Sequence, residues 1–549
     1  MFAHGNHNAH MILSSLIKVD MKANDDKREL LVALVRYIYT DSYNQDVMSS
    51  QALHMIADMW KSEKQVQLTS EMLSLLEAIS AKQQDDPALI ELLAVFCKPI
   101  VQHVLEGKEC SIPMAMLQSA CVSAALDVSG LIERRLDTLV LTNSVVDLIM
   151  IADSSLLEDR RAEFNMQVIE YIIRRLANGM PTWEGGDFFD KLTKFVKASP
   201  IEWSHIHLET VRDFILVTLM DNISDACAIR FIDTVVGLVY GDWTKLEPLE
   251  TYLRRILDHH DYSKLTDPNL ACLAARQIPE NDEQRRALIQ LIHTLNRIQP
   301  DILAKNHGLL DTLLTSYGAT TSFTDKLLLD ILMTCERHSR SSLLTKLTMW
   351  GPGTDKIRQA HMQAGTLLRT NAVSSDTLGL IDPTIMKYTF THFSDATRDD
   401  CPPFPVIYDP CFFLPLFANI ISSGIADCRK LIDCNGVGLI LVGMSSTDDS
   451  IRQVCYQMMD QFYILLEHAK FKEQGEVIFV LDLLRHSITD RSQTNVPRVP
   501  LCISVCVAHT LSILLHPGHL MFPHISKWIL QRPTLDFDVS DMHICDHVC

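Results

Sequence analysis

Near its C-terminal end the chain reads HPGHLMFPHISKWILQRPTLDFD, which places His516, His519 and His524 close together, and HICDHVC adds His543, Cys545, His547 and Cys549. Imidazole and thiolate are the ligands zinc prefers, and a structural zinc site needs four of them converging. The spacing does not deliver that set. His516 and His519 flank a Pro-Gly break, and His524 falls in the first turn of the helix carrying Ile525, Trp528 and Ile529. The remaining donors lie beyond Pro533, which ends that helix. The stretch therefore reads as a helix-turn-helix corner. His205 with His207, and the run His259, His260 and Asp261, offer two or three ligands without a matched partner pair. No metal site is expected at any of these positions.

Other chemistry finds equally little footing. A phosphate loop needs Gly, four residues, then Gly-Lys-Ser/Thr, and GPGTDK has glycines without that spacing. GVGLILVG fails the dinucleotide fingerprint because Leu441 stands where the third glycine is required. Neither a G-x-S-x-G elbow nor HExxH occurs. The expectation is a protein with no catalytic residues and no cofactor.

Arginine pairs are the more informative pattern. Arg134-Arg135, Arg160-Arg161, Arg174-Arg175, Arg254-Arg255 and Arg285-Arg286 all fall in segments read as helices. One account is solvent exposure with pairing to acids along the same helix. The other is a discontinuous basic ridge that touches RNA phosphates, because a guanidinium binds phosphate through two parallel hydrogen bonds.

The elements positioning these residues are helices. Ile169, Ile172, Ile173 and Leu176 recur at helical spacing before NGMP, where Gly179 and Pro181 supply a stop. Leu288, Leu291, Ile292 and Leu295 repeat the pattern before Pro300. Ile451, Val454, Cys455, Met458, Met459 and Phe462 do so behind TDDS, where Thr447 is the expected cap. Strand alternation is missing, although VGLILVG is compatible with a strand or a buried helix. The expected fold is all-α: an α-solenoid of irregular, HEAT/armadillo-like helical repeats over residues 1–349, since successive helices with short breaks pack side by side. A linker with short helices at 350–408 follows, then a C-terminal helical domain at 409–538 and a tail at 539–549. No fixed period is found, and a large irregular bundle also satisfies the helix density.

Composition bounds the function. With 549 residues, 47% of them hydrophobic and 21% charged, the chain is folded and too long for one core. A net charge of −19 excludes a generally basic nucleic-acid-wrapping surface, so any RNA contact must be local. Fifteen cysteines without a CxxC pair, mostly in apolar helical context, read as free thiols of a reducing compartment, and MFAHGNHNAH lacks the basic start followed by an apolar run that a secretory signal shows. The cytosol or nucleus is expected.

Three C-terminal segments carry a resemblance. YDPCFFLPLFANIISSG, CRKLIDCNGVGLILVGMSSTDDSIRQVCYQMMDQFY and HPGHLMFPHISKWILQRPTLDFD, in that order, resemble the C-terminal domain of the nucleolar pre-ribosomal-associated protein 1 family. LLLDILMTCERHS, MWGPG and IDPTIMKYTFTHF fit the family's approach to that domain, so the resemblance covers about 322–538. Its signature positions here are Trp350, Gly351, Pro352, Tyr408, Asp409, Pro410, His516, Pro517, His519, Arg532 and Pro533. The resemblance implies a non-enzymatic nucleolar scaffold of early large (60S) ribosomal subunit biogenesis that supports pre-rRNA processing and compaction. It implies association with pre-rRNA, small nucleolar RNAs and other assembly factors, including a DEAD-box helicase. Family members are much longer than this chain, which is therefore expected to correspond to a C-terminal portion or to a shortened version of the gene product. A generic helical-repeat adaptor that binds only proteins is the competing reading.

Overall fold

The computed structural model describes residues 50–61, 68–82, 86–178, 187–199, 207–240, 249–266, 280–338, 350, 376–393, 407–424, 426–488 and 496–531. Among these residues the regular structure is helical, and the strand-like feature is a lone antiparallel bridge between Thr320 and Tyr408. The ambiguous GVGLILVG is a helix, Gly436–Gly443. The chain divides into two compact units, one of Met1–Asn222 with Cys227–Trp243, the other of Ile223–Ala226 with Thr244–Cys549. This division falls well before the expected boundary at 349.

Local chemistry starts the helices. Asp86 accepts from Ala88 N–H at 2.9 Å ahead of Pro87, and Thr142 accepts from Val145 N–H at 3.2 Å, each satisfying a donor that the first turn leaves free. In the first unit Pro87–Leu105 packs against Ser50–Lys61 and Met114–Ser123, with the Trp60 and Phe96 rings 5.6 Å apart. Pro87–Leu105 is long and apolar enough to cross a bilayer, but ten of its residues, from Ala88 to Leu105, are buried in the unit. Glu158–Ala177 buries Ile169, Ile172, Ile173 and Leu176 as their spacing predicts and packs on Leu208–Asp221. The stop residues Gly179 and Pro181 lie outside the described residues.

The second unit is built around Gly436–Gly443, all of whose side chains and glycines are buried. It packs against Leu501–Leu514, Asp449–His468 and Pro383–Thr391. Small residues permit this approach. A Cβ on Gly438 would lie 3.1 Å from Phe390 and 3.2 Å from Ala508, and one on Gly443 would meet the Cys455 sulfur. Asp448, rather than the expected Thr447, caps Asp449–His468 by accepting from Ser450 N–H at 2.7 Å; the carboxylate sits one residue closer to the free donors. In that helix Cys455, Met458 and Phe462 face the core, whereas Val454 points outward. Glu280–Ile298 packs on Phe323–His338, burying Leu288, Leu291, Ile292 and Leu295.

Candidate functional site

Of the signature positions, Trp350, Tyr408, Asp409 and Pro410 come together. Asp409 caps Pro410–Ser422 by accepting from Cys411 N–H at 2.8 Å, with Pro410 at the first helical position, where its missing N–H costs nothing. That helix turns Phe412, Phe413, Leu416 and Phe417 inward. Trp350 stands edge-on to Tyr408, Phe412 and Phe413, with centroids 6.2, 5.7 and 5.5 Å away. Tyr317 meets Phe412 at 5.2 Å. Trp350 and Tyr408, the two ends of the segment expected to be a linker, are thus core neighbours within the second unit.

Backbone pairing locks this cluster. Asp409 N–H donates to Ala319 O at 2.8 Å and Thr321 N–H to Ile407 O at 3.0 Å. The Tyr408 hydroxyl accepts from Asp382 N–H at 3.0 Å, and Tyr408 N–H donates to Thr389 Oγ1 at 2.8 Å. Burial raises the Asp409 carboxyl above the ordinary range against the opposing Cys411 hydrogen bond, and burial, with Asp325 and Asp409 adding to it, pushes Tyr317 well above its usual value. These residues hold the unit together. Gly351, Pro352, Arg532 and Pro533 lie outside the described residues.

The arginine pairs separate into distinct roles. Arg285 is buried: it donates to Asp325 at 2.6 Å, to Ser316 O at 3.2 Å and to Thr324 Oγ1 at 2.8 Å, which withdraws it from any surface ridge. Arg286 next to it is exposed, its guanidinium 4.5 Å from the Phe323 ring centre. Arg161 forks onto Asp153 at 2.5 and 2.6 Å. Arg160 lies 3.7 Å from Glu133. Arg174 and Arg254 pair one turn back, with Glu170 at 2.7 Å and Glu250 at 3.1 Å, as the intrahelical account expects. Arg175 and Arg255 occupy exposed last turns. Arg134 and Arg135 are also exposed but sit at the junction after Val128–Glu133 rather than within a helix.

The corner near the C-terminal end forms between Leu501–Leu514 and Phe522–Leu530, as read from the sequence. His516 Nδ1–H donates to Ser512 O at 2.9 Å and its Nε2 lies 3.5 Å from Asp433. His519 Nδ1 accepts from Met521 N–H at 3.2 Å. Pro517 is exposed in the turn, and His524 is exposed in the helix's first turn. His543, Cys545, His547, Cys549 and His205 lie outside the described residues; His207 is exposed at the start of Leu208–Asp221. His259, His260 and Asp261 bring three ligand atoms within 4.8 Å, but His259 Nδ1 accepts from Asp261 N–H at 3.2 Å and Lys264 holds the Asp261 carboxylate at 3.2 Å. His260 Nε2 also lies 2.9 Å from the Asp261 carboxylate, so all three are already engaged. Cys97 and Cys121 lie 3.1 Å apart in the core as thiols.

Sequence reasoning missed His509, buried within Leu501–Leu514 against Phe390, because no local spacing signals that burial. It also missed Arg452, buried with its guanidinium on Ser446 O at 2.8 Å and Val496 O at 3.3 Å.

The described residues thus define an all-helical protein whose candidate residues are structural anchors and surface arginines. Residues 437–542 match the family model described as Nucleolar pre-ribosomal-associated protein 1. Over 348 residues the chain is 27% identical to Nucleolar pre-ribosomal-associated protein 1 of Mus musculus, covering 60% of this chain and 15% of that protein. Over 336 residues it is 27% identical to the Homo sapiens protein of the same name, covering 57% and 14%. The chain therefore spans about 15% of the length of the curated relatives it matches. No solved structure matches. The resemblance read from the C-terminal segments is borne out by these matches.

Proposed function

We propose that the chain acts in the nucleolus as a non-enzymatic scaffold of early large-subunit assembly, supporting pre-rRNA processing and compaction. The observation that carries this reading is the match of residues 437–542, a stretch that includes most of the buried helix Gly436–Gly443, to a family named for nucleolar pre-ribosomal association. The helical fold and the exposed arginines at Arg134, Arg135, Arg174, Arg175, Arg254 and Arg255 are consistent with it, because they offer local phosphate contacts on an otherwise acidic chain. In this reading the helices continue as an irregular HEAT/armadillo-like solenoid. Its surfaces hold pre-rRNA, small nucleolar RNAs and assembly factors, among them a DEAD-box helicase. Imaging the tagged chain and recovering crosslinked RNA tests the proposal. Nucleolar signal with precursor rRNA recovered is expected; a uniformly cytosolic protein without RNA overturns it, and protein partners insensitive to nuclease favour the adaptor reading.

A further inference from the structure

A cavity of about 150 Å³ opens at the helix-turn-helix corner, lined by Lys387, His509, Ser512, His516, His519 and Met521. That is room for a tetrahedral oxyanion, several times what one water requires. Its lining is unusual for this acidic chain. Lys387 is exposed on Pro383–Thr391 and supplies an ammonium. His519 accepts at Nδ1 from Met521 N–H, so its neutral ring carries its proton on Nε2 as a donor. Met521 is the N-cap of Phe522–Leu530, whose free N–H end favours negative charge. A carboxylate also stands close by: Asp433, 3.5 Å from His516 Nε2.

The second observation is His509. Its residue is only 4% exposed, it packs edge-on to Phe390 at 5.1 Å, and its ring nitrogens have no hydrogen-bond partner among the described residues. The little polar surface this nearly covered ring keeps opens on the cavity it lines, where a ligand can meet it. Burial, with the Lys387 ammonium adding to it, pushes His509 down to about 4, so at neutral pH it is an uncharged donor beside a cationic one. The three histidines do not converge as metal ligands, since the described residues bring together such a trio only at His259, His260 and Asp261. Mixed neutral and cationic N–H donors around one small space suit a phosphate.

We propose that this pocket seats a backbone phosphate of an RNA strand; the RNA attribution rests on the functional reading above. Binding of a single-stranded RNA oligonucleotide to the full chain, followed by fluorescence anisotropy, tests it in Lys387→Ala, His519→Gln and Lys387→Arg variants. Both altered residues are exposed, and circular dichroism confirms folding. The expected result is RNA binding about three- to tenfold weaker in Lys387→Ala and His519→Gln, near wild type in Lys387→Arg, with a salt slope reduced by about one in Lys387→Ala. Inorganic phosphate alone should move the His509 ring resonances in wild type and not in Lys387→Ala. RNA binding unchanged by the variants, with phosphate leaving His509 untouched, overturns the pocket while leaving the scaffold reading standing. Phosphate acting at His509 while the chain binds no RNA overturns the RNA attribution here and the RNA contact proposed above. Competition by an acidic peptide as strong as by phosphate overturns the phosphate assignment.

Discussion

Arg285 donates to Asp325 at 2.6 Å in a site where the two side chains are 4% and 1% exposed. The pair is also embedded in hydrogen bonds. Asp325 accepts from Gly318 N–H at 3.2 Å, Thr320 N–H at 3.0 Å and the Thr320 hydroxyl, which shapes the turn that carries the bridge to Tyr408. Deleting one charge strands the other in the core. Arg285→Ala is expected to cost about 3–5 kcal/mol in urea unfolding, and Asp325→Ala a similar amount. A loss below about 1 kcal/mol for both variants would show that water reaches the site.

The bridge makes its own prediction through Tyr408. Its ring packs on Trp350 and Phe413, whose centroids are 6.2 and 4.6 Å away, while its hydroxyl accepts from Asp382 N–H. Tyr408→Phe keeps the ring and removes one hydrogen bond, so about 1 kcal/mol is expected. Tyr408→Ala opens a cavity as well and should cost about 3–5 kcal/mol. Equal effects in thermal melts would mean that the ring packing carries no stability.

How far the sequence foretold this region depends on the range of the interaction. Pro410 behind Asp409 favours a helix start, and Phe412, Phe413, Leu416 and Phe417 fall at helical spacing on its buried face, because both are local patterns. The pairing of residues 319–321 with 407–409 left no trace in periodicity: it joins single residues far apart in sequence, and the Gly, Pro and Ser enrichment between them read as a linker. Arg285 and Arg286 show the same limit. Adjacent in sequence, they differ in burial, and only the packing of Phe323–His338 decides which one is covered. His509 was hidden for a related reason: its burial depends on Phe390, which a different helix brings against it from far away in the sequence.

Glycine spacing in Gly436–Gly443 predicts a steric rescue. A Cβ at position 443 would run into Cys455 Sγ, while Cys455 Cβ would remain 3.6 Å away. Gly443→Ala is expected to destabilise by about 1–3 kcal/mol through overpacking. Adding Cys455→Ala removes the obstructing sulfur, and the double variant should regain most of that stability. Additive losses in the double-mutant cycle would contradict this account.

His509 sets a pH dependence. Its folded value of about 4 lies below the ordinary 6.5, so between them the unfolded chain holds the extra proton. Its contribution to stability is therefore complete above about pH 6.5 and is lost as the pH falls toward 4, on the order of 3 kcal/mol in all. Lys387, His516 and His519 share the cavity, and Asp433 stands beside His516, so the comparison must be with His509→Gln rather than with wild type alone. Wild type should lose more stability than that variant across this range in urea titrations. Parallel curves would refute the assignment.

The arginines yield the prediction that separates surface from core. Arg174 and Arg175 end Glu158–Ala177 with both side chains exposed, and Arg174 is held one turn back by Glu170. Such an exposed pair contributes little to folding, because the charges are already well solvated. Replacing both with Glu should therefore leave the melting temperature nearly unchanged. If the pair touches RNA, the same variant should weaken binding across unrelated sequences and lower the salt slope by about one for each phosphate no longer held, because a guanidinium on a phosphate reads no base. Arg285 must behave in the opposite way, since its removal lowers folding stability while a buried guanidinium leaves no RNA contact to lose. Unchanged RNA recovery in the Arg174→Glu, Arg175→Glu chain would leave the pair as ordinary solvated surface and shift the RNA-facing role to Arg134, Arg135, Arg254 and Arg255, which are exposed in the same way.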